Sequence, residues 1–545
     1  MATQNANIPN LDVSHSDDPQ VVREARTEDY SLHAVPRTWR NSRGSIAMAW
    51  FSILSAMFFL IVSATTALAV GTVNTIIGIV LSVIVTGSIN ILVSRYAARS
   101  GLTVALFSRS LFGQVGAALA TLIFGATAVY YAVFEGSVIA QVFHEYFGTV
   151  PIQGWYLVVV LYSMPLVIFG VGVWLDKING ILLPFYVIGI VAAVVATVAK
   201  YGYSNDWFTF QPGTTEAIAG PGWVFAFTVY MGNYIQMMFT MDYARYGRPE
   251  NARFNSIVTF GPVFYFFLYL VNGLIGIFLL LTIPSEGALT EISGVLGIVS
   301  VLGLFGVVFV WASQTRINTA NFYLASTNLQ SFFARAFGLQ LHRTTWVLIV
   351  GGLVFAIMLT NVFSYILQAL RVQGVFVVSW VAIALAQMVY EHVRGSGEAS
   401  EFRPGRVPLV NPPGVIAWLV SSGVGIFLLF GAGAFGQTWS SPITFALALV
   451  IYGVSLEFAH RSWFMLDRPY DPRSEVDDQW EARVRCDSCG LAYIAYEMDR
   501  DPSSGHRPIC ASCASAKPSL LRDARREAEA LRHESEQEPT TVARE

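Results

Sequence analysis

Charged side chains are scarce in this chain. Asp, Glu, Lys and Arg make up 13% of its 545 residues, against roughly 25% in soluble domains, which excludes an ordinary soluble fold. Cysteine is scarcer still: there are four, and all fall between Cys486 and Cys513. No basic stretch leads into a short apolar run with a cleavage site at the N-terminus, so no signal peptide is expected and the first apolar segment would serve as the membrane signal. The formal net charge of -3 says nothing about nucleic acid. No catalytic triad and no pair of carboxylates appears, which disfavours a membrane enzyme.

Hydrophobic residues are abundant, at 54%, and they come in runs of about twenty, the length that crosses a bilayer. About twelve segments are expected, near 46–68, 72–94, 115–142, 155–174, 179–200, 222–243, 257–283, 295–327, 346–361, 364–390, 414–433 and 441–463. Basic residues test the count. They cluster before the first segment (Arg37, Arg40, Arg43), after the second (Arg95, Arg99, Arg109), the fourth (Lys177), the sixth (Arg245, Arg248, Arg253), the eighth (Arg335, Arg343), the tenth (Arg394, Arg403, Arg406) and the twelfth (Arg461, Arg468, Arg473). The intervening loops carry almost none, Lys200 being the clear exception. That alternation predicts an all-α, multi-pass protein of the cytoplasmic (inner) membrane with both termini in the cytoplasm.

Flanking this transporter-sized block at 44–465 are a polar stretch at 1–43, expected to be a disordered cytoplasmic tail, and a soluble region from about 466. In the latter, Cys486-Asp-Ser-Cys489 and Cys510-Ala-Ser-Cys513 form two CxxC pairs. Four thiolates at this spacing suit structural zinc, or less readily iron, in a zinc-ribbon-like module over 466–516, with Leu491–Tyr496 as a first strand. Two disulfides are the rival arrangement, disfavoured in a reducing cytoplasm. Residues 517–545 form a charged tail, with Leu520, Ala524, Ala528 and Leu531 at helical spacing.

Polar residues inside apolar segments are costly in lipid and therefore informative. Gly232, Asn233, Tyr234 and Gln236 sit in the middle of the sixth segment. They read either as one wall of a transport site, where an interrupted helix meets a solute, or as helix–helix packing. In the third segment Tyr131 and Glu135 lie four residues apart on one helical face. A ring and a carboxylate suit a flat heterocycle bearing N–H groups, and a carboxyl in the membrane is a candidate carrier of the coupling proton. The alternative is a paired Glu that ties helices together. In the eighth segment Gln314, Asn318 and Asn321 share a face, and Arg316 lies nearly opposite. Such an Arg needs a partner; Glu135 and a set of backbone carbonyls are the candidates. Asp242 with Arg245, and Asp176 with Lys177, read as caps or gate pairs.

Taken together, these residues resemble the nucleobase–cation symporter family 1, which holds purine–cytosine permeases and allantoin, uracil and hydantoin transporters. Asp242-Tyr-Ala-Arg-Tyr246 at the end of the sixth segment matches its Asp-Tyr/Phe-x-Arg-Tyr motif. Arg37-x-x-Arg40, Ser100-Gly101-Leu102, Arg109-x-x-Phe112-Gly113 and Asn321 with Leu324–Leu329 fit as well. The resemblance, over about 35–465, implies a five-plus-five inverted repeat with two extra helices and a substrate site between helices one, three, six and eight. It places Tyr131 and Glu135 where relatives carry a stacking Trp and a Gln, Asn233 where many carry a second stacking Trp, and Asn321 at a substrate-binding Asn. Relatives that use sodium hold it with carbonyls of the first helix and two hydroxyls of the eighth. Here Thr315 and Arg316 stand at those positions, so the resemblance implies coupling to H+ rather than Na+, with Glu135 as the protonation site, or uniport. The first helix, AWFSILSAMFFLIVS, has no Gly or Pro to break it; Ser52 and Ser55 are the candidates for unwinding.

The function expected is import of a small heterocyclic base or ureide by alternating access. The alternative is a membrane ligand sensor that signals through the cysteine module to a cytoplasmic protein partner.

Overall fold

The first apolar segment is not a straight helix. In the structure, a computed structural model, Arg43–Ser55 and Phe58–Val70 meet at a 44° bend, with Ala56 extended at φ -70° and ψ 113°. The model describes residues 8–537 apart from 29, 214–217, 286, 338, 340 and 395–399, and the side chains of 27, 169–181, 334–336 and 535–537 lie outside the description. Asp176, Lys177 and Arg335 are therefore not described as side chains.

Serine chemistry accounts for the bend without Gly or Pro. The Ser55 hydroxyl donates to the Ser52 carbonyl at 2.9 Å, drawing a main-chain acceptor away from the helical ladder. Backbone groups freed in an apolar bundle must find other partners, and three do. Arg316 donates to the Ser52 carbonyl at 2.8 Å, Asn272 donates to the Leu54 carbonyl at 3.0 Å, and the Met57 amide donates to Gln314 Oε1 at 3.3 Å. The break is thus held by polar side chains from the seventh and eighth segments.

The sixth segment is interrupted too, as Gly222–Met231 and Ile235–Ala244 joined by a 3₁₀ turn over Gly232–Tyr234. Gly232 and Gly374 face one another so closely that a Cβ on Gly374 would sit 3.1 Å from the Gly232 Cα. The Gly232 carbonyl accepts from Gln373 Nε2 at 2.9 Å. The two interrupted segments are five apart in the chain. So are the third (Ala118–Phe147) and eighth (Leu304–Phe337), which pack along one another. The eleventh (Pro412–Gly431) and twelfth (Gly433–Phe458) pair with each other and lean on the tenth (Ile366–Arg394).

All twelve predicted segments are helical. Among the described residues, seven helices are long and apolar enough to cross a membrane, or eight with the bent pair counted as one. Four segments fall short: the fourth is described over only part of its length, and the other three have physical causes. The sixth is split, the ninth is the short helix Arg343–Met358, and the eighth carries Gln314, Arg316, Asn318 and Asn321 in its apolar run. Segments four and five, described as Ile152–Ile168 and Leu182–Tyr201, both pack on the eighth: Tyr162 meets Thr315 and Tyr186 stacks on Phe309.

The N-terminal stretch corrects an expectation. Residues 8–28 and 30–43 do not form a disordered tail. Strand β1 (Val13–Ser14) pairs antiparallel with β2 (Arg483–Arg485), which pairs with β3 (Ala492–Ile494); β4 (Asp499–Asp501) pairs with β5 (Arg507–Ile509). A helix follows β1 at Pro19–Thr27, capped by Asp18. Local sequence does not reveal this order because the stabilising partners are remote: Glu497 meets His33 across 464 residues, and the Pro9 carbonyl accepts from buried Arg500 at 2.8 Å. The predicted strand at Leu491–Tyr496 exists in part, as β3, but pairs back onto β2 rather than forward. Val484, Met498, Ile509, Leu520 and Ala524 form the module's own small core, the last two from the C-terminal helix Pro518–Gln537.

Candidate functional site

Between the bent first segment and helices three, six and eight lies a cavity of ≈ 400 Å³. Phe58 and Phe59 reach it from the first segment, Tyr131 and Glu135 from the third, Gln236 and Phe239 from the sixth, and Arg316 and Asn321 from the eighth. The polar lining is held in place from behind. Gln314 donates to Glu135 Oε2 while its carbonyl oxygen receives the Met57 amide, so one side chain joins helices three and eight to the broken first helix. The Tyr131 hydroxyl accepts from Gln373 Nε2 at 3.3 Å, and its ring meets Phe58 edge-on at 5.1 Å. Two amide atoms of the lining residues, Asn321 Nδ2 and Gln236 Oε1, have no hydrogen-bond partner. A buried donor and a buried acceptor without partners are costly, and both belong to side chains lining this space, where a polar solute would satisfy them.

Four of the eight residues expected to bind substrate line the cavity: Tyr131, Glu135, Gln236 and Asn321. The others do not. Gly232 is packed on the tenth helix, and Tyr234 turns its ring edge toward Phe445 of the twelfth. Asn318 Nδ2 donates to Ser163 Oγ at 3.0 Å. Asn233 is fully buried outside the lining, and neither of its amide atoms has a partner. The shared face expected for Gln314, Asn318 and Asn321 is therefore divided: Gln314 bonds the third helix and the broken first segment, Asn318 the fourth helix, and Asn321 faces the cavity.

Of the expected coupling residues, Thr315 bonds the Tyr162 hydroxyl at 2.9 Å. Arg316 lines the cavity and binds Ser52 through both its carbonyl and its hydroxyl. The backbone-carbonyl alternative is thus the observed one, and Glu135 is not seen as the Arg316 partner. The two eighth-helix positions at which the resemblance puts sodium-binding hydroxyls are Thr315 and Arg316. One hydroxyl position is a guanidinium already donating to the broken helix, and the other hydroxyl is turned toward Tyr162. Residues not anticipated from the sequence are Gln373, Asn272 and Ser31. Gln373 and Asn272 carried a signal, being amides inside apolar segments; Ser31 carried none.

The Asp-Tyr-Ala-Arg-Tyr stretch closes the cavity at the end of the sixth helix. Asp242 Oδ1 caps the short helix Val104–Gly116 by accepting from the Val104 amide at 2.8 Å. Arg245 donates to the Tyr30 carbonyl at 2.6 Å and to the Tyr246 hydroxyl at 2.8 Å. Ser31, Arg245 and Tyr246 are part of the cavity lining.

In the soluble module the Sγ atoms of Cys486, Cys489, Cys510 and Cys513 all lie within 4.8 Å of one another, and no disulfide links them. Gly490 takes φ +72° to turn the chain after the first pair, and the Cys510 amide points at Cys486 Sγ at 3.4 Å. Four convergent thiol donors on two tight turns can hold a metal ion, and the set suits tetrahedral thiolate coordination.

Two interrupted helices border a largely apolar cavity with a few polar groups in its wall, in a bundle of twelve apolar segments, and this is the fold of solved transporters. The solved structures sharing it include an inward-facing conformation of Mhp1 (TM-score 0.62, 11% identity, 79% of this chain and 95% of that one). Another is a closed conformation of Mhp1, a nucleobase-cation-symport-1 family transporter, with bromovinylhydantoin bound (TM-score 0.58, 15% identity, 80% of this chain and 98% of that one). At these identities the likeness is one of fold. No family model matches the sequence, and no curated protein matches it.

Proposed function

We propose that this chain is a secondary active transporter of the nucleobase–cation symporter family 1, importing a small planar N-heterocycle or ureide across the cytoplasmic membrane by alternating access. Purine, cytosine, uracil, allantoin and hydantoin are the substrate types. The observation that carries the reading is the cavity itself: an aromatic ring (Tyr131), a carboxyl (Glu135) and two amides with unsatisfied atoms (Gln236, Asn321) face one space beside a broken helix. Rings stack on a heterocycle's face, and amides and a carboxyl bond its mixed donor–acceptor edge.

The same reading makes transport sodium-independent and proton-coupled. Arg316 supplies a fixed positive charge to the Ser52 carbonyl, and Glu135 is the acidic group of the cavity lining. Both termini lie on the cytoplasmic side, and the four cysteines hold zinc. The test is uptake of labelled bases, hydantoin and allantoin by cells without permeases of their own, comparing the wild type with Glu135→Gln and Asn321→Ala. Saturable uptake of one class, weakened by both changes, supports the assignment. Transport indifferent to both removes it.

A further inference from the structure

The cysteine module and the transport cavity are joined by a short chain of contacts. β2 ends one residue before Cys486, and β3 begins two residues after Gly490. The first CxxC turn therefore sets their register, Arg485 opposite Ala492. β3 and the turn that follows it, Ala495–Glu497, present Tyr493 and Glu497 to the N-terminal segment. The Tyr493 ring stacks on His33 at 3.9 Å and 11°, and its hydroxyl bonds Glu28 at 3.1 Å. Glu497, fully buried, takes His33 Nδ1 at 2.6 Å through one oxygen and the Ala34 amide at 2.7 Å through the other. Val35 continues the tie, its amide donating to the Gly101 carbonyl at 3.0 Å.

The other side of the same segment meets the transporter. Arg245 holds the Tyr30 and His33 carbonyls, and Ser31 forms part of the cavity wall together with Arg245 and Tyr246. Residues 30–35 are thus a cover clamped between the sixth helix and the cysteine module.

We propose that the four-cysteine site is a regulatory metal site: with zinc bound, the module holds residues 30–35 against the cavity, and with the ion removed it releases them. The physical basis is that metal binding and folding are one equilibrium in small thiolate sites, and here the fold in question supplies Tyr493 and Glu497. The inference rests on the transporter reading only for what the cover controls; the contacts themselves do not depend on it.

Hydrogen exchange on the full-length protein tests the link without any substrate. Amides of residues 30–35 are followed in zinc-loaded protein and after chelation, with helix Thr72–Ser100 as the reference. Chelation is expected to speed exchange at 30–35 by about tenfold or more while the reference is unchanged. Glu497→Ala keeps all four cysteines; it is expected to retain full zinc content and to give the same acceleration. Protection at 30–35 that survives either treatment overturns the proposal, as does a purified chain that takes up no zinc. Equal acceleration in Thr72–Ser100 also overturns it, since the ion would then support the whole fold rather than the cover.

Discussion

Arg316 donates to the main-chain carbonyl of Ser52 at 2.8 Å, tying the eighth helix to the point where the first one breaks. A guanidinium stays charged at any physiological pH, so a cation resident in the protein answers the carbonyl at the break. Uptake measured at fixed pH and membrane potential is therefore expected to be flat in sodium. A steep rise with sodium would show that the ion displaces Arg316 or binds elsewhere.

Glu135 faces the cavity and takes a hydrogen bond from Gln314. Glu135→Gln keeps the shape and removes the proposed proton site. Substrate exchange between the two sides should persist, while accumulation driven by a pH gradient should vanish. Reconstituted vesicles with and without an imposed gradient separate the two.

Asn321 offers an unpartnered Nδ2 to the cavity. Truncation to Ala is expected to cost the substrate one hydrogen bond, about 0.5–1.5 kcal/mol, or roughly two- to tenfold in apparent Kd. Binding titrations on purified protein give the value directly. An unchanged Kd would mean that the amide has no substrate contact.

Where the tenth-to-eleventh loop meets the cysteine module, Arg403 is buried between Glu401 at 2.7 Å and Asp471 at 2.6 Å. Burial alone would raise both carboxyls, but the charge and hydrogen bonds of Arg403 outweigh it. Glu401 is held well below the usual range, and Asp471 is pushed down to about 2. Depressed carboxyl pKa values stabilise the folded form fully above the ordinary value and lose that contribution as pH falls through the folded one. For Asp471 the window runs from 3.8 to about 2. Arg403→Gln leaves Glu401 with only Arg473 as ion partner, at 3.4 Å, and Asp471 with only Arg406, at 3.6 Å, and should destabilise the junction by about 1.5–3 kcal/mol at neutral pH. The gap from the wild type should narrow as the acids protonate. Thermal denaturation across pH tests both statements.

How far the sequence reveals this molecule depends on the range of the interactions. Helix positions are legible because an apolar run of about twenty residues answers to lipid alone, and the convergence of Cys486, Cys489, Cys510 and Cys513 is legible in their paired CxxC spacing. Tyr131 and Glu135 are legible as a pair because four residues make one helical turn. The separate settings of Gln314, Asn318 and Asn321 are not, since they depend on which helix, or which open space, stands opposite. The order of residues 8–28 and 30–43 is hidden for the same reason: the edge of β2 and the Glu497 carboxylate lie at the far end of the chain. The bend at Ser52–Ser55 falls between these cases. Its serines are visible, but Arg316, Asn272 and Gln314, which hold it open, come from elsewhere.

The bare approach of Gly232 to Gly374 bears on how such a machine could move. With no side chain between the two backbones, and Gln373 bridging to the Gly232 carbonyl, there is nothing compressible to absorb sliding. Helices six and ten must then travel as one lever at this crossing, and the hinge for any switch between inward and outward access must lie on either side of it.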